Sequence, residues 1–325
     1  MAHEPVKPIA GGRGEATARL ATVAPAVPRM GLGARLLEDE RVLGLLLLLP
    51  TMGLLGLFIA YPFVKGVWLS LTSATVGYAG VYVGLKNFVK IWNDSIFQRA
   101  TYNTFVYTGV ATVGKLVLGM WLALLLNRHF RGKRLVRASM LLPFIIPTVL
   151  STFAWKWMFD PTFSVLNWSL YHLGAITTRI GWLTDPTLAL GSVIVVNVWR
   201  GMPFYAITLL AGLQTVSPEL HEAAAIDGAN SWHRFWRITW PLLLPVTLVV
   251  TLFSVIQTFS DFQLVYVLTG GGPANSTHLF ATYAYQIRIA TGLLGEGAAA
   301  SLAMFPLLFI VVVIQLWYIR RVEAH

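Results

Sequence analysis

Six apolar stretches, each long enough to cross a bilayer, constrain this chain more than any other feature of its sequence. A membrane-spanning helix needs about 20 mainly apolar residues, and such stretches lie at roughly 42–63, 104–126, 136–159, 188–212, 242–268 and 297–319. Hydrophobic residues make up 56% of the chain and charged residues only 12%, whereas a soluble domain carries about 25% charged residues. The sequence therefore predicts an all-α integral membrane protein with six transmembrane helices, with five or seven as open alternatives because Lys156 and Arg200 interrupt the third and fourth stretches.

The basic residues predict which side of the membrane each connection faces. Their densest group lies between the second and third stretches, from Arg128 to Arg137. Short cytoplasmic loops carry an excess of lysine and arginine, so we expect this loop and both chain termini to be cytoplasmic. Residues 1–40 hold glycines, prolines and scattered arginines, and are expected to form a largely disordered cytoplasmic tail before a membrane domain at 41–325. The net charge of +10 is thus attributed to topology and not to nucleic-acid binding.

The connection at 217–241 predicts a small helix–turn–helix on the cytoplasmic side. Ser217 suits an N-cap and Pro218 suits the first helical position. A short helix is expected to run from Pro218 to about residue 227, where Gly228 can end it in a left-handed conformation. Ser231 is expected to cap a second helix that leads back into the membrane.

This connection also carries a recognisable motif. Glu222-Ala-Ala224, with Gly228 six residues after the glutamate and then Ile238 and Pro241, resembles the EAA loop of ATP-binding-cassette (ABC) importer permeases. The family pattern has leucine just before the final proline, and this chain has Trp240 there. Ile238 and Pro241 remain in register, so the resemblance stands despite this difference.

Three further segments resemble permeases of sugar importers, namely Gly84–Phe88, Leu142–Pro147 and Leu268–Pro273. The resemblance covers residues 41–325, and the chain is identified as a member of the carbohydrate-uptake (maltose MalF-type) permeases, in a version with six spans. It implies a type I ABC importer transmembrane domain with a cytoplasmic coupling helix, in the inner (plasma) membrane of a bacterial cell.

The resemblance implies several partners: a second homologous permease, two ATPase subunits and a periplasmic or other extracytoplasmic solute-binding protein. The sequence contains no Gly-x-x-x-x-Gly-Lys-Ser/Thr loop to hold nucleotide phosphates. ATP and magnesium are therefore expected on the ATPase subunits, and this chain is expected to be a transporter subunit with no cofactor, metal site or enzymatic activity of its own. The residues expected to couple to the ATPases are Glu222, Ala223, Ala224, Asp227 and Gly228.

Ionisable residues inside spans are costly and are therefore functional candidates. The chain offers Lys115, Lys156, Arg200 and Asp261, of which the two lysines are interpreted as structural. In maltose-type permeases the sugar contacts residues of the third, fourth and fifth spans. The resemblance maps those positions onto Phe144, Thr148, Asn197, Arg200, Gly201, Gln257, Thr258 and Asp261. Their amide, hydroxyl and carboxylate groups suit sugar hydroxyls, and Phe144 can stack on a sugar face.

An alternative interpretation of the same residues is structural. Arg200 and Asp261 can form an ion pair between the fourth and fifth spans, with Asn197 and Gln257 as hydrogen-bonding residues between helices. Arg200 also departs from the maltose-type pattern, which has an apolar residue there. If it is unpaired, it can recognise a sulfonate, phosphate or carboxylate.

The expected solute is a sugar or sugar derivative, neutral or anionic, with glycerol 3-phosphate or another polyol phosphate as the alternative. A secondary transporter is less favoured, because it would use paired inverted repeats and a relay of carboxylates. Asp261 is the one acidic candidate well inside a predicted span. An intramembrane enzyme is also disfavoured, since the sequence has no His-Glu-x-x-His or Gly-x-Ser-x-Gly pattern.

Overall fold

The structure is a computed structural model that describes residues 40–323, and this part of the chain is helical, with no strand beyond two isolated β-bridges. The helices are α1 (Glu40–Leu55), α2 (Tyr61–Ser70), α3 (Lys86–Trp92), α4 (Ser95–Asn127), α5 (Lys133–Ile145), α6 (Thr148–Met158), α7 (Val165–His172), α8 (Pro186–Leu213), α9 (Pro218–Ile226), α10 (Ser231–Arg234), α11 (Trp240–Phe259), α12 (Gln263–Leu268), α13 (Phe280–Tyr285) and α14 (Leu294–Glu323). Three π-helical segments lie at Gly56–Ala60, Phe235–Thr239 and Gln286–Ala290. The predicted tail falls outside the described residues, except for Glu40.

Residues 40–323 contain six candidate membrane spans when one bent pair of helices is counted as a single span. The five continuous spans are Arg41–Ser70, Ser95–Asn127, Pro186–Leu213, Ser231–Phe259 and Leu294–Arg321. The third span consists of α5 and α6, whose axes meet at 92°. The predicted all-α membrane fold is therefore confirmed, while two of the predicted spans differ in detail.

The third predicted span, 136–159, is wrong as a continuous helix. Helix α5 ends at Ile145, Ile146 is extended, and Pro147 is also non-helical, with a ψ of 134°, before α6 begins at Thr148. A residue that precedes proline is sterically pushed out of the helical region, and proline itself offers no N–H to the preceding turn. Ile146 is that residue, and the chain changes direction there.

The fifth predicted span, 242–268, is also wrong in its boundaries. One helical stretch runs from Ser231 to Phe259, and a break at 260–262 separates it from α12. The carboxylate of Asp261 accepts a hydrogen bond from the backbone N–H of Leu264 at 3.3 Å. Asp261 therefore caps the start of α12 from within the break and does not lie inside a continuous helix.

The described part of the chain divides into two compact units at residues 61 and 62. In the described part of the first, α1 exposes the run of leucines at 45–49. In the second, α4 and α8 form the most extensive helix pair. Two buried clusters lie along this pair. The first cluster includes Met120, Leu209 and Leu243, and the second includes Tyr107, Val196 and Leu264.

Gly119 permits the close approach of α4 and α8, and we expect its replacement by valine to lower stability markedly. A Cβ at this position would overlap the Cβ of Tyr205 and lie 3.2 Å from the backbone N of Ala206 and the backbone O of Met202. Backbone atoms cannot rotate away, so overpacking of about 1–3 kcal/mol is expected. The melting temperature of the purified transporter measures this effect.

Gly109 provides the matched control, because it lies on the same helix and a Cβ there would meet nothing within 4 Å. Gly109→Val is expected to melt close to the unmodified protein. Equal melting temperatures for the two variants would contradict the assignment of Gly119 to a close helix contact.

Candidate functional site

A cavity of about 580 Å³ opens among the second, third, fourth and fifth spans. This volume lies within the range of roughly 300–1,000 Å³ that is usual for small-molecule sites. All eight residues mapped from the sequence onto the solute path line it, namely Phe144, Thr148, Asn197, Arg200, Gly201, Gln257, Thr258 and Asp261. The structure thus brings together, around one space, residues that are up to 117 positions apart in the chain (144 to 261).

The cavity lies where the buried apolar packing is interrupted. On α8, the cavity-lining residues begin at Asn197, directly after Val196 of one apolar cluster, and end at Tyr205 of the other. On α4, Lys115 lies between Tyr107 and Met120, which belong to the same two clusters. The apolar clusters hold the spans together on both sides, so the polar residues between them line a space that the packing leaves open.

The two broken helices supply one side of this site. Phe144 lies at the end of α5 and Thr148 begins α6, so the third span lines the cavity at its bend. The break at 260–262 contributes Ser260 and Asp261. Breaks in spanning helices are tolerated where the chain is buried in protein or lines a water-filled cavity, which is the position of both breaks here.

The carboxylate of Asp261 is held by neutral donors. Its Oδ2 accepts hydrogen bonds from the hydroxyl of Tyr107 at 2.7 Å and from Nδ2 of Asn197 at 3.1 Å. Its Oδ1 accepts from the backbone N–H of Leu264. Asn197 therefore does join the fourth span to the fifth, as the structural interpretation expected. Tyr107, which is fully buried, was not foreseen from the sequence.

The ion pair expected between Arg200 and Asp261 is not formed. Both residues lie in the described part of the chain, and their charged groups do not approach within the 4.0 Å of a salt bridge. The Nε of Arg200 is buried without a hydrogen-bond partner. The hydrogen bonds of Asp261 come instead from Tyr107, Asn197 and the backbone N–H of Leu264.

Lys115, which was interpreted from the sequence as a structural lysine, lines the cavity. Its side chain is only 4% exposed, and its Nζ donates a hydrogen bond to Oγ1 of Thr258 at 2.6 Å. A Cβ on Gly201 would overlap Cδ of Lys115 and lie 3.4 Å from its Cγ. The absence of a side chain at Gly201 therefore makes room for the lysine stem. Lys156, by contrast, lies outside the cavity and donates to the carbonyl of Val267 at 3.3 Å.

Aromatic rings form another part of the wall. Phe144 stacks on Phe204, with ring centroids 5.6 Å apart and planes at 16°. Phe204 and Tyr205 were missed in the sequence, although a signal was present. Residues 197, 200, 201, 204 and 205 share one face of a helix, because they are separated by three, four, seven and eight positions.

After the C-terminal end of α8, the connection to the fifth span folds as a helix and a tight turn. The Oγ of Ser217 accepts from the backbone N–H of Glu219 at 3.3 Å, as expected for an N-cap. At the other end, the N–H groups of Gly228 and Ala229 donate to the carbonyls of Ala225 and Ala224 at 3.1 and 2.9 Å. This is the Schellman arrangement, and Gly228 has the positive φ of 83° that it requires.

One detail of this connection differs from the sequence predictions, whereas the end of α9 agrees with them. Helix α9 ends at Ile226, with Asp227 as its C-cap. The second helix is capped by Asn230 and not by Ser231, since Oδ1 of Asn230 accepts from the N–H of His233 at 2.9 Å. Either residue suits an N-cap, and the turn after Gly228 places Asn230 in the extended conformation that a cap needs. Glu222 is exposed on α9.

The comparison with known protein families shows to which family the chain belongs. The sequence profile of the binding-protein-dependent transport system inner membrane component matches residues 115–324. The chain belongs to this family. The permease is thus a transporter subunit of an ABC importer and not an enzyme, as the resemblance implied.

The chain aligns with individual relatives over nearly all of their length. The permease is 36% identical over 283 residues to the sulfoquinovosyl glycerol transport system permease of Agrobacterium fabrum. This alignment covers 86% of the chain and 91% of the relative. The permease is 34% identical over 293 residues to the trehalose/maltose transport system permease of Thermococcus litoralis, with 89% and 98% covered. These matches confirm the predicted sugar-importer permease family.

The fold has a counterpart among solved structures. A crystal structure of a bacterial alginate ABC transporter, in complex with an alginate pentasaccharide-bound periplasmic protein, matches with a TM-score of 0.76 at 24% identity. The match covers 89% of the permease and 98% of that chain. The expected type I importer fold is therefore confirmed.

Proposed function

We propose that the permease imports a sugar or sugar derivative, and that the solute passes through the 580 Å³ cavity. The observation that carries this proposal is the convergence of the eight mapped residues on one space inside the membrane region. Amide and hydroxyl groups from Asn197, Gln257 and Thr258 can exchange hydrogen bonds with sugar hydroxyls. The exposed part of Phe144 can pack on the apolar face of a sugar ring.

The relatives support a carbohydrate as the solute. Their names assign sulfoquinovosyl glycerol to the Agrobacterium fabrum system and trehalose or maltose to the Thermococcus litoralis system. The structural neighbour carries alginate. These solutes differ in size and charge, but all contain sugar rings. The chemistry of the cavity and the relatives agree on the class of solute.

The assembled importer is proposed to contain a second homologous permease, two ATPase subunits that bind ATP and magnesium, and an extracytoplasmic solute-binding protein. The family description refers to a binding protein, and the alginate transporter was solved with its periplasmic protein. The basic loop at 128–137 supports a cytoplasmic side that includes α9 and both termini. The residues 217–241 then face the ATPases.

The coupling step is assigned to α9, which would sit in a cleft of an ATPase subunit. The residues proposed to make this contact are Glu222, Ala223, Ala224, Asp227 and Gly228. Most of them are exposed, and the helix also presents Ile226 at 87% exposure. Glu222 would pair with a basic group of the ATPase.

A continuous helical stretch, joined to α9 by a tight turn, leads towards the cavity. Arg234 donates to the carbonyl of His221 at 3.4 Å and so ties the second helix of the turn to α9. From Ser231 the helical stretch runs without interruption to Phe259, next to the break that holds Asp261. A displacement of α9 can therefore shift the cavity wall as a rigid body, which is how such transporters would switch between two packings.

Reconstitution tests the proposal. We expect proteoliposomes that contain the permease and its partners to take up radiolabelled sugar only when ATP is inside and the solute-binding protein is outside. Glu222→Lys is expected to reduce this uptake at least tenfold, because it places like charge against the basic group of the ATPase. The variant should still insert into the membrane, as judged by its recovery in the membrane fraction.

Glu219→Lys is the matched control, since Glu219 is an exposed acid on the same short helix, three residues earlier. Its uptake is expected to stay within about twofold of the unmodified importer, because an exposed charge contributes less than about 1 kcal/mol. Sugar uptake that needs no ATP would contradict the proposed function, and equal uptake by the two variants would contradict the role of Glu222.

A further inference from the structure

The charges that line the cavity do not cancel. Among its described lining residues, three carry a formal charge: Lys115, Arg200 and Asp261. Asp261 accepts its hydrogen bonds from the uncharged groups of Tyr107, Asn197 and Leu264 and forms no salt bridge with either cation. Two cationic side chains therefore share this space with a single carboxylate, which acts on both of them without direct contact, and one positive charge remains unbalanced.

An excess of positive charge at this depth needs an explanation. Charged side chains within a membrane are strongly disfavoured, and those that remain usually pair with an opposite charge or mark the path of a substrate or ion. A buried charge without a partner costs far more than a paired one. Asp261 offsets one of the two cations at a distance, and the described lining of the cavity holds no second carboxylate, so the remaining balancing charge is expected to come from the solute.

Lys115 is held in a position from which its ammonium group can bind an acidic group of the solute. Its stem fits against Gly201, and one of its three N–H donors is used by Thr258 at 2.6 Å. The other two donors have no partner in the described chain. Because Gly201 follows Arg200 directly, the lysine stem passes beside the helix turn that carries the guanidinium. The Nε of Arg200 is likewise buried and unpartnered.

The bent third span adds to the positive electrostatic potential in the cavity. Helix α6 begins at Thr148, which lines the cavity, and its N-cap is Pro147, whose side chain accepts no hydrogen bond. The first N–H groups of a helix have no partner within the helix, and they carry a partial positive charge. This helix end therefore reinforces the attraction of Lys115 and Arg200 for an anion.

We infer that the cavity selects a solute that carries a strongly acidic group, a sulfonate, phosphate or carboxylate, which binds between the ammonium of Lys115 and the guanidinium of Arg200. This inference rests on the proposed function, because it takes the cavity as the solute path. Arginine binds such oxyanions through two parallel N–H donors, and Lys115 contributes a point charge. The remainder of the solute lies against Phe144 and the hydrogen-bonding groups.

Equilibrium binding to the complete importer in lipid nanodiscs, without the solute-binding protein, tests this inference. The probes are glucose and 6-deoxy-6-sulfoglucose, which differ only at carbon 6, together with glycerol 3-phosphate. We expect the sulfonated sugar to bind at least tenfold more tightly than glucose. Equal binding of the two sugars, or binding of none of the three probes, would overturn the inference.

Variants then identify the residues responsible. Lys115→Gln and Arg200→Gln are each expected to reduce the preference for the sulfonated sugar about tenfold, whereas Lys115→Arg, which keeps the charge, should retain most of it. Lys156→Gln is the matched control, because Lys156 is a cation of the third span outside the cavity. A preference that survives in both glutamine variants would refute the assignment. The comparison of probes on the unmodified importer does not depend on any variant folding.

The outcomes separate this inference from the proposed function. If the importer takes up glucose and shows no preference for the acidic sugar, the acidic-group inference fails while the sugar importer stands. If glycerol 3-phosphate binds more tightly than both sugars and depends on Lys115, the acidic-group inference is supported, and the assignment of a sugar as the solute is overturned.

Discussion

Replacement of Gly228 by valine is expected to reduce ATP-driven uptake at least tenfold while the permease still enters the membrane. Gly228 has a φ of 83°, and a residue with a Cβ pays about 1–2 kcal/mol in this left-handed region. A Cβ here would meet nothing within 4 Å, so the cost comes from the backbone conformation and not from a clash. The turn that ends α9 would open, and the hydrogen bonds from Gly228 and Ala229 would be lost. Uptake of labelled sugar and ATP hydrolysis measure the effect.

Gly132→Val provides the matched control for this variant. Gly132 also has a φ of 83°, a Cβ there would also meet nothing, and it precedes α5 in the basic loop. It carries the same backbone cost outside the segment that we assign to coupling. Uptake by Gly132→Val is expected to stay within about twofold of the unmodified importer. Equal losses in both variants would show that backbone strain alone, wherever it lies, impairs the transporter.

Replacement of Asp261 by alanine is expected to weaken the binding of a neutral sugar, because this carboxylate lines the cavity, and to lower stability by about 2–4 kcal/mol. The fully buried hydroxyl of Tyr107 and the amide of Asn197 would each lose an acceptor, and an unsatisfied buried polar group costs about 1–3 kcal/mol. The start of α12 would also lose its cap from Asp261. The melting temperature of the purified importer and the binding of labelled sugar report the two effects separately.

Two further variants serve as controls for Asp261→Ala. Asp261→Asn keeps an acceptor oxygen for Tyr107 and is expected to recover most of the melting temperature. Asp160→Ala removes a carboxylate that accepts from the N–H groups of Thr162 and Phe163 in a connecting loop, and it should leave solute binding unchanged. If Asp261→Ala melts like the unmodified importer, the network around this carboxylate does not hold the spans together.

The number and order of the spans could be predicted because each depends on a local property, the length of an apolar run. The breaks could not. Hydropathy over a window does not register that Ile146 precedes Pro147, or that Asp261 has partners on two other spans. The break at 260–262 is stabilised by Tyr107 and Asn197, which lie 154 and 64 residues away. Contacts over such distances in the chain leave no periodic pattern in the sequence.

In the candidate site too, positions could be predicted from the sequence, whereas contacts between distant residues could not. The resemblance supplied eight positions that the structure places around one cavity, because these positions follow from the register of three spans. The ion pair from Arg200 to Asp261 was one of two interpretations that the sequence left open, and it is not formed: the carboxylate accepts its hydrogen bonds from neutral groups. Lys115 was interpreted as structural, since its surroundings depend on Gly201 and Thr258, which lie on different helices.

Caps mark the limit of local prediction at a finer scale. Ser217 and Gly228 act as their residue types indicate. Ser231 does not, because its neighbour Asn230 is an equally good cap and the turn geometry selects it. Where two suitable residues are adjacent, only the path of the backbone decides between them.

The fit of Lys115 against Gly201 links the choice of cargo to the architecture of the bundle. A larger residue at position 201 would displace the lysine stem, and a smaller residue at position 115 would leave an unfilled space beside α8. A lineage that exchanged its cargo for one of different charge would therefore need paired substitutions at both positions. Covariation of positions 115 and 201 among permeases would be the record of such exchanges.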